Sequence, residues 1–154
     1  MEDLFEDGLF AYLIADATLA AAVLYTGAGS DNKYAIFKNQ AKQDRPETYV
    51  VFLSTSDSPE YHAGGQCTAR TISFNLSVFC GIDTTTAETV RDRIYALLSG
   101  YRAAAMGSLW IDFIHVTNVG SITESPIFGD EEGLNGFSMD FECKIQGLAP
   151  DPMA

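Results

Sequence analysis

The chain has 154 residues, a formal net charge of −12 at pH 7, and a composition that is 47% hydrophobic and 12% aromatic with five prolines. That is enough for one domain with a single core, and no low-complexity run marks a disordered segment. The acidic excess argues against nonspecific nucleic-acid binding and attraction to anionic membranes, and no apolar run approaches the length that spans a bilayer. The opening Met1-Glu-Asp-Leu-Phe-Glu-Asp is acidic where a signal peptide is basic. The expectation is a soluble chain that stays in the cytosol or leaves it by a route other than secretion.

The pattern predicts a helix from about Asp3 to Ala15, with Leu4, Phe5, Leu9, Tyr12 and Leu13 near one face. Glu2, Asp3, Glu6 and Asp7 suit its N-terminal end through the macrodipole, and Gly8 weakens it by nearly ~1 kcal/mol. Asp16 ends it and caps a second, alanine-rich helix from about Thr18 to Leu24. Gly27-Ala-Gly-Ser-Asp-Asn marks a loop. Tyr34 to Phe37 reads as a short strand, and the polar stretch from Asn39 to Pro46 as an exposed connection. Thr48 to Ser54 is β-branched and aromatic, hence a strand. Ser56 to Gln66 is turn chemistry and predicts a long hairpin tip.

The next stretch organises the rest. From Ile72 the even positions Ile72, Phe74, Leu76, Val78 and Cys80 are apolar, and Thr71, Ser73, Asn75 and Ser77 between them are polar. A period of two from Cys67 to Cys80 predicts a strand with one buried and one wet face. A helical period follows from Thr84 to Ser99, with Ala87, Val90, Ile94, Leu97 and Leu98 on one side and Gly100 at the C-cap. Leu109 to Val119 predicts a strand of poor alternation, central or covered on both faces. In it His115 shares parity with Ile111 and Phe113, which predicts a core or half-buried histidine, and Trp110 has the opposite parity. Ile122 to Asn135 reads as a loop, Phe137 to Ile145 as a cleanly alternating strand, and the end from Gly147 as a tail.

Hairpins predominate in this order. The expected fold is therefore α+β, with an antiparallel sheet of about four to five strands and helices packed on one face. The expected organisation is a single domain at 1–146 and a C-terminal tail at 147–154.

Chemistry is sparse. A nucleophilic triad needs a base beside the nucleophile, and the only histidines are His62, in the turn-rich segment, and His115. No nucleophile elbow or phosphate-binding loop occurs, and Gly27-Ala-Gly29 has neither the preceding strand nor the third glycine of a dinucleotide site. Asp130-Glu131-Glu132 lacks the alternate spacing of a calcium loop and reads as a solvated acidic loop. Asp140 and Glu142 lie on the wet face of a strand. Cys67 and Cys80 lie on one predicted strand, roughly 40 Å apart at ~3.3 Å per residue. They are out of disulfide range, so the three cysteines are expected to be reduced. The chain is not expected to be an enzyme, and no catalytic, metal or cofactor-binding residue is assigned.

Taken as a whole, the order of segments resembles a known family. The segments are Leu13-Ile-Ala-Asp16-Ala-Thr-Leu-Ala, Tyr49-Val-Val-Phe-Leu, the tip Tyr61-His-Ala-Gly64-Gly65, and Arg70-Thr-Ile-Ser-Phe-Asn-Leu-Ser-Val-Phe-Cys-Gly. The helix from Ala87 to Gly100 and Gly136-Phe-Ser-Met-Asp-Phe-Glu-Cys complete it. Together they resemble the tail terminator, or tail completion, proteins of tailed bacteriophages, from about Leu4 to Ile145. The segment Tyr25 to Thr48 is longer and more polar than that pattern, and Pro46 stands two residues further from the second strand.

The resemblance implies a structural virion protein. It would form a ring, usually a hexamer, on the head-proximal end of the tail tube, ending tube growth and joining tail to head. The implied partners are further copies of the chain, the tail tube protein, a head-completion or neck protein, and the sheath where the tail is contractile. DNA would pass through the ring without specific binding, no cofactor or membrane would take part, and assembly would occur in the host cytoplasm. The candidate contacts are the segments Ser56 to Gln66, with Asp57, Glu60, Tyr61 and His62, and Glu124 to Asn135, with Asp130, Glu131 and Glu132. Ser73, Asn75 and Ser77 form a small, uncharged face suited to a neighbouring subunit or a channel. A neck, head-completion or tail-tube-related protein is the nearest alternative. A small cytosolic enzyme or ligand-binding domain is the reading from another class.

Overall fold

Phe74 and Phe141 stack at 5.1 Å in the middle of a six-stranded sheet, and the helices close over them. The computed structural model describes residues 2–26, 32–39, 48–62, 65–80, 85–123 and 135–148, and only the backbone at some of these, 60–62 and 65–68 among them. The chain runs α1 (Glu2–Ile14), α2 (Ala17–Val23), β1 (Leu24–Thr26), β2 (Asn32–Tyr34), β3 (Ile36–Lys38), β4 (Tyr49–His62) and β5 (Gly65–Cys80). It continues with α3 (Thr85–Leu98), β6 (Arg102–Met106), β7 (Leu109–Thr123) and β8 (Asn135–Leu148). The large sheet has the order β3-β4-β5-β8-β7-β6, and β1 and β2 form a separate pair.

The alternation in β5 does what its sequence pattern requires. Ile72, Phe74, Leu76, Val78 and Cys80 are all buried, while Thr71, Ser73, Asn75 and Ser77 are half-buried on the opposite face. β8 lies antiparallel with its own buried residues in step, Ile72 opposite Cys143 and Leu76 opposite Met139. Phe5 of α1 meets Phe74 edge-on at 5.1 Å, and α3 turns Ala87, Val90, Ile94 and Leu98 onto the same face. Burying one such large apolar side chain contributes about 1.5–3 kcal/mol. Asp16 caps α2, accepting a hydrogen bond from the Leu19 amide at 2.9 Å.

The structure corrects several sequence expectations. The sheet has six strands, not four to five, and it is mixed, because β3 runs parallel to β4. The run Tyr34 to Phe37 is split at Ala35. Tyr34 pairs with Leu24, Ile36 pairs with Val50, and Ala35 donates to Val23 O and accepts from the Val50 amide, both at 2.8 Å. The strand β6 was not anticipated, since Arg102-Ala-Ala-Ala-Met carries no alternation. Ser56 to Gln66 is not a long tip, for pairing continues to His62 opposite Gly65. Its Ser, Asp and Pro content belongs to an outer strand: beyond Phe52 no described strand pairs with the other side of β4, and Pro59 is tolerated there. The last strand reaches Leu148, so 147 and 148 belong to the sheet and not to a tail.

The poor alternation in β7 has a local cause. Register shifts fall between Trp110 and Ile111, Ile111 and Phe113, and Val116 and Asn118. The first falls on β8, where Gln146 is the extra residue, and leaves the facing of β7 unchanged; the other two, at Asp112 and Thr117, reverse the facing of the residues after them. Ile111 and Ile114 are therefore both buried, and Phe113 and His115 turn to the other face. His115 is exposed, against the expectation of a core or half-buried histidine. Gly8, unfavourable by propensity, is required by packing: a Cβ there would stand 2.8 Å from the Met106 carbonyl oxygen. Gly136 is tighter still, at 2.0 Å from Val78 O.

Candidate functional site

On the face of the sheet opposite the helices, the middle strands β5 and β8 carry a polar patch ordered by its own hydrogen bonds. Ser77 Oγ donates to Asn75 Oδ1 at 2.6 Å, and Asn75 Nδ2 donates to Ser138 Oγ at 2.7 Å and Asp140 Oδ1 at 2.8 Å. The network follows from register, which sets Ser77 opposite Ser138 and Asn75 opposite Asp140. Ser73 stands opposite Glu142, and its carbonyl accepts from Thr55 Oγ1 at 3.1 Å. Further along, His115 Nε2 lies 3.8 Å from Glu142 Oε2 and its ring stacks on Phe113 at 5.3 Å.

Of the ten candidate residues, the four whose side chains are described fall on two faces of the sheet. Ser73, Asn75 and Ser77 share the outer face. Asp57 points with Ile72 to the opposite face, where its carboxylate accepts from Arg70 Nε at 2.8 Å. Glu60, Tyr61 and His62 lie at the closed end of the β4–β5 hairpin, and their side chains fall outside the described residues. Asp130, Glu131 and Glu132 also lie outside them. The connection that carries these acids leaves Thr123 and returns at Asn135, and Asn135 pairs with Cys80. Cys80 is the far end of β5 from Gly65, and a strand of 16 residues spans about 50 Å at ~3.3 Å per residue. The two expected contact segments are thus rooted at opposite ends of one sheet.

Two features escaped sequence reasoning. Glu6 is the one buried charged residue among those described; it accepts from Ser54 Oγ at 3.2 Å and pairs with Lys38. Its spacing of three from Leu9 was the available signal, since that spacing returns it to the apolar face. Beside it a cleft of about 290 Å³ opens between α1 and β3, lined by Asp7, Phe10, Ile36, Lys38 and Phe52. The second feature is a row across β6, β7 and β8, in which Arg102 and Lys144 flank Phe113. Only knowledge of the bulge at Asp112 could have aligned it.

Among the described residues no group of three His, Cys, Asp or Glu side chains is placed to hold a metal ion. Burial pushes the Cys143 thiol up to about 12, so it stays protonated and is a poor nucleophile. What the described surface offers is extended faces and edges for contact.

No family model and no curated protein matches the chain. A solved chain from "Virion of native gene transfer agent (GTA) particle" does align, with a TM-score of 0.68. This protein has the fold of that virion chain. The likeness covers 95% of this chain and 97% of the other, at 16% sequence identity, so the two agree from end to end in architecture. A second solved chain aligns at a TM-score of 0.46, and nothing rests on it.

Proposed function

We propose that this chain is a structural subunit of a phage-like virion. It assembles as a ring, six copies in the simplest case, on the head-proximal end of the tail tube, where it ends tube growth and joins tail to head. The observation that carries this reading is the end-to-end fold likeness to a chain of the gene transfer agent virion. The order of segments, which resembles tail terminators, gives the finer assignment. That the two proposed contact segments are rooted at opposite ends of the sheet suits a subunit that must meet the tube on one side and the head-completion protein on the other. The net charge of −12 suits a ring through which DNA passes without sticking, since acidic groups repel phosphate. Work is done by surfaces in such a role and no reaction is catalysed.

Size measurement of the purified protein, followed by negative-stain imaging, tests the reading. Rings of uniform diameter, in solution or on added tail tubes, support it. A monomer that never decorates tubes and carries a bound small molecule would count for the enzyme or ligand-binding alternative. Charge reversal at Asp130, Glu131 and Glu132 should impair joining or DNA passage. Full infectivity of the triple variant would remove that loop from the mechanism.

A further inference from the structure

Among the described residues, the lower half of β7 is an open sheet edge. β6 pairs with β7 only from Leu109 to Phe113, and the Ile114 backbone bonds to Gly100 and Tyr101. From Val116 to Thr123 no described strand pairs with that side. The segment reads Val-Thr-Asn-Val-Gly-Ser-Ile-Thr, eight residues with no charge and no proline in a chain of net charge −12. Val119 is 48% exposed. Monomeric proteins blunt such edges with lysine, proline or a covering element, because an open row of amides and carbonyls recruits another strand.

The opposite side of the same sheet carries a complementary edge. β3 pairs with β4 only through Phe52, so on the side away from β5 no described strand pairs with the run Leu53-Ser-Thr-Ser56 that follows; the run is uncharged, with Leu53 46% exposed. Three successive antiparallel steps, β4 to β5 to β8 to β7, make β4 antiparallel to β7. A second copy in the same orientation would therefore lay its β4 antiparallel to the first copy's β7 and continue the alternation of the sheet. The two edges are different surfaces, so the contact is head-to-tail and each addition leaves a fresh edge, as a ring requires.

We infer that copies of this chain join edge to edge, the Val116–Thr123 segment of one subunit accepting the β4 strand of the next beyond Phe52. The choice of a second copy as occupant rests on the ring reading above; the open edge does not. Register also predicts a stagger. Ser54 and Val116 are level, because both align with Phe74 and Phe141, yet the free edge of β4 runs from there toward the hairpin end and that of β7 toward the other end. Neighbours must shift along the strand direction to bring the two edges together, so strands in the assembled ring are tilted to its axis.

The test is a pair of cysteines, Ser56→Cys on β4 and Ser121→Cys on β7, oxidised both in purified protein and in particle-producing cells. The double variant should give a ladder of disulfide-linked oligomers closing at the ring size, and neither single variant should give more than dimers. Val119→Lys should abolish the oligomer while leaving the melting temperature of the subunit unchanged; Thr89→Lys, on the exposed side of α3, should leave both unchanged. Rings that persist in Val119→Lys, with no ladder from the double variant, would overturn edge pairing and leave the ring reading standing. Absence of rings and of ladders in protein and particles alike would overturn both.

Discussion

Arg93 grips Asp16 with two donors, Nε to Oδ2 at 2.8 Å and Nη2 to Oδ1, across 77 positions of sequence. The same Asp16 oxygen that takes Nε also caps α2, so one carboxylate ties the start of α2 to the middle of α3. The hydrogen bond from Arg93 is the main reason the Asp16 carboxyl is held at about 2, below its ordinary 3.8. A carboxyl with a depressed folded value stabilises above its ordinary value, and the contribution disappears as pH falls from about 4 through about 2. Asp16→Asn should keep the cap and lose the ion pair; Asp16→Ala should lose both and melt lower. Acid titration followed by circular dichroism should show the wild type resisting unfolding to lower pH than Arg93→Ala. Coincident acid transitions would deny the clamp any role.

Gly8→Ala separates propensity from packing. Helix propensity alone expects a gain of about 1 kcal/mol. The methyl would meet the Met106 carbonyl at 2.8 Å, against backbone that cannot swing away, and overpacking of that kind costs about 1–3 kcal/mol. The expected net is a loss of up to about 2 kcal/mol in urea unfolding. A more stable variant would mean that α1 does not approach the β6–β7 turn so closely.

Much of the fold was legible because its central elements obey simple periods. The alternation of β5 and β8, the spacing in α3 and the Asp16 cap all act within one element, where sequence pattern is decisive. The rest depends on partners. Three residues, Ile36 to Lys38, carry no record of strand direction; that is set by Val50 opposite Ile36. His115 was assigned to the wrong face because the bulge at Asp112 exists only through pairing with β8. The candidate site was less legible. Ser73, Asn75 and Ser77 do share a face, but their coupling to Ser138 and Asp140 needs the register, and nothing local marks Val116 to Thr123 as an edge.

Ser73→Lys probes the outer face with little risk to the fold. The new ammonium would stand opposite Glu142, and an opposite-charge cross-strand pair adds roughly 0.2–1 kcal/mol. Thermal stability should hold or rise while ring formation or tail joining falls. Unchanged assembly would reduce that face to a solvent-exposed surface.

Thiol titration checks the core. Cys80 and Cys143 are buried thiols, at 5% and 0% exposure. Of the three cysteines, no more than one per chain should react with an aromatic disulfide reagent under native conditions, and all three after denaturation. Rapid labelling of a second native thiol would mean that the sheet opens between β5 and β8.

The central claim is that this chain ends the tail and joins it to the head. Electron microscopy of particles produced without it tests that claim most directly. The expected result is filled heads beside unjoined or overlong tails, restored to normal by supplying the protein. Intact particles with tails of normal length, or a complete absence of tails, would contradict it.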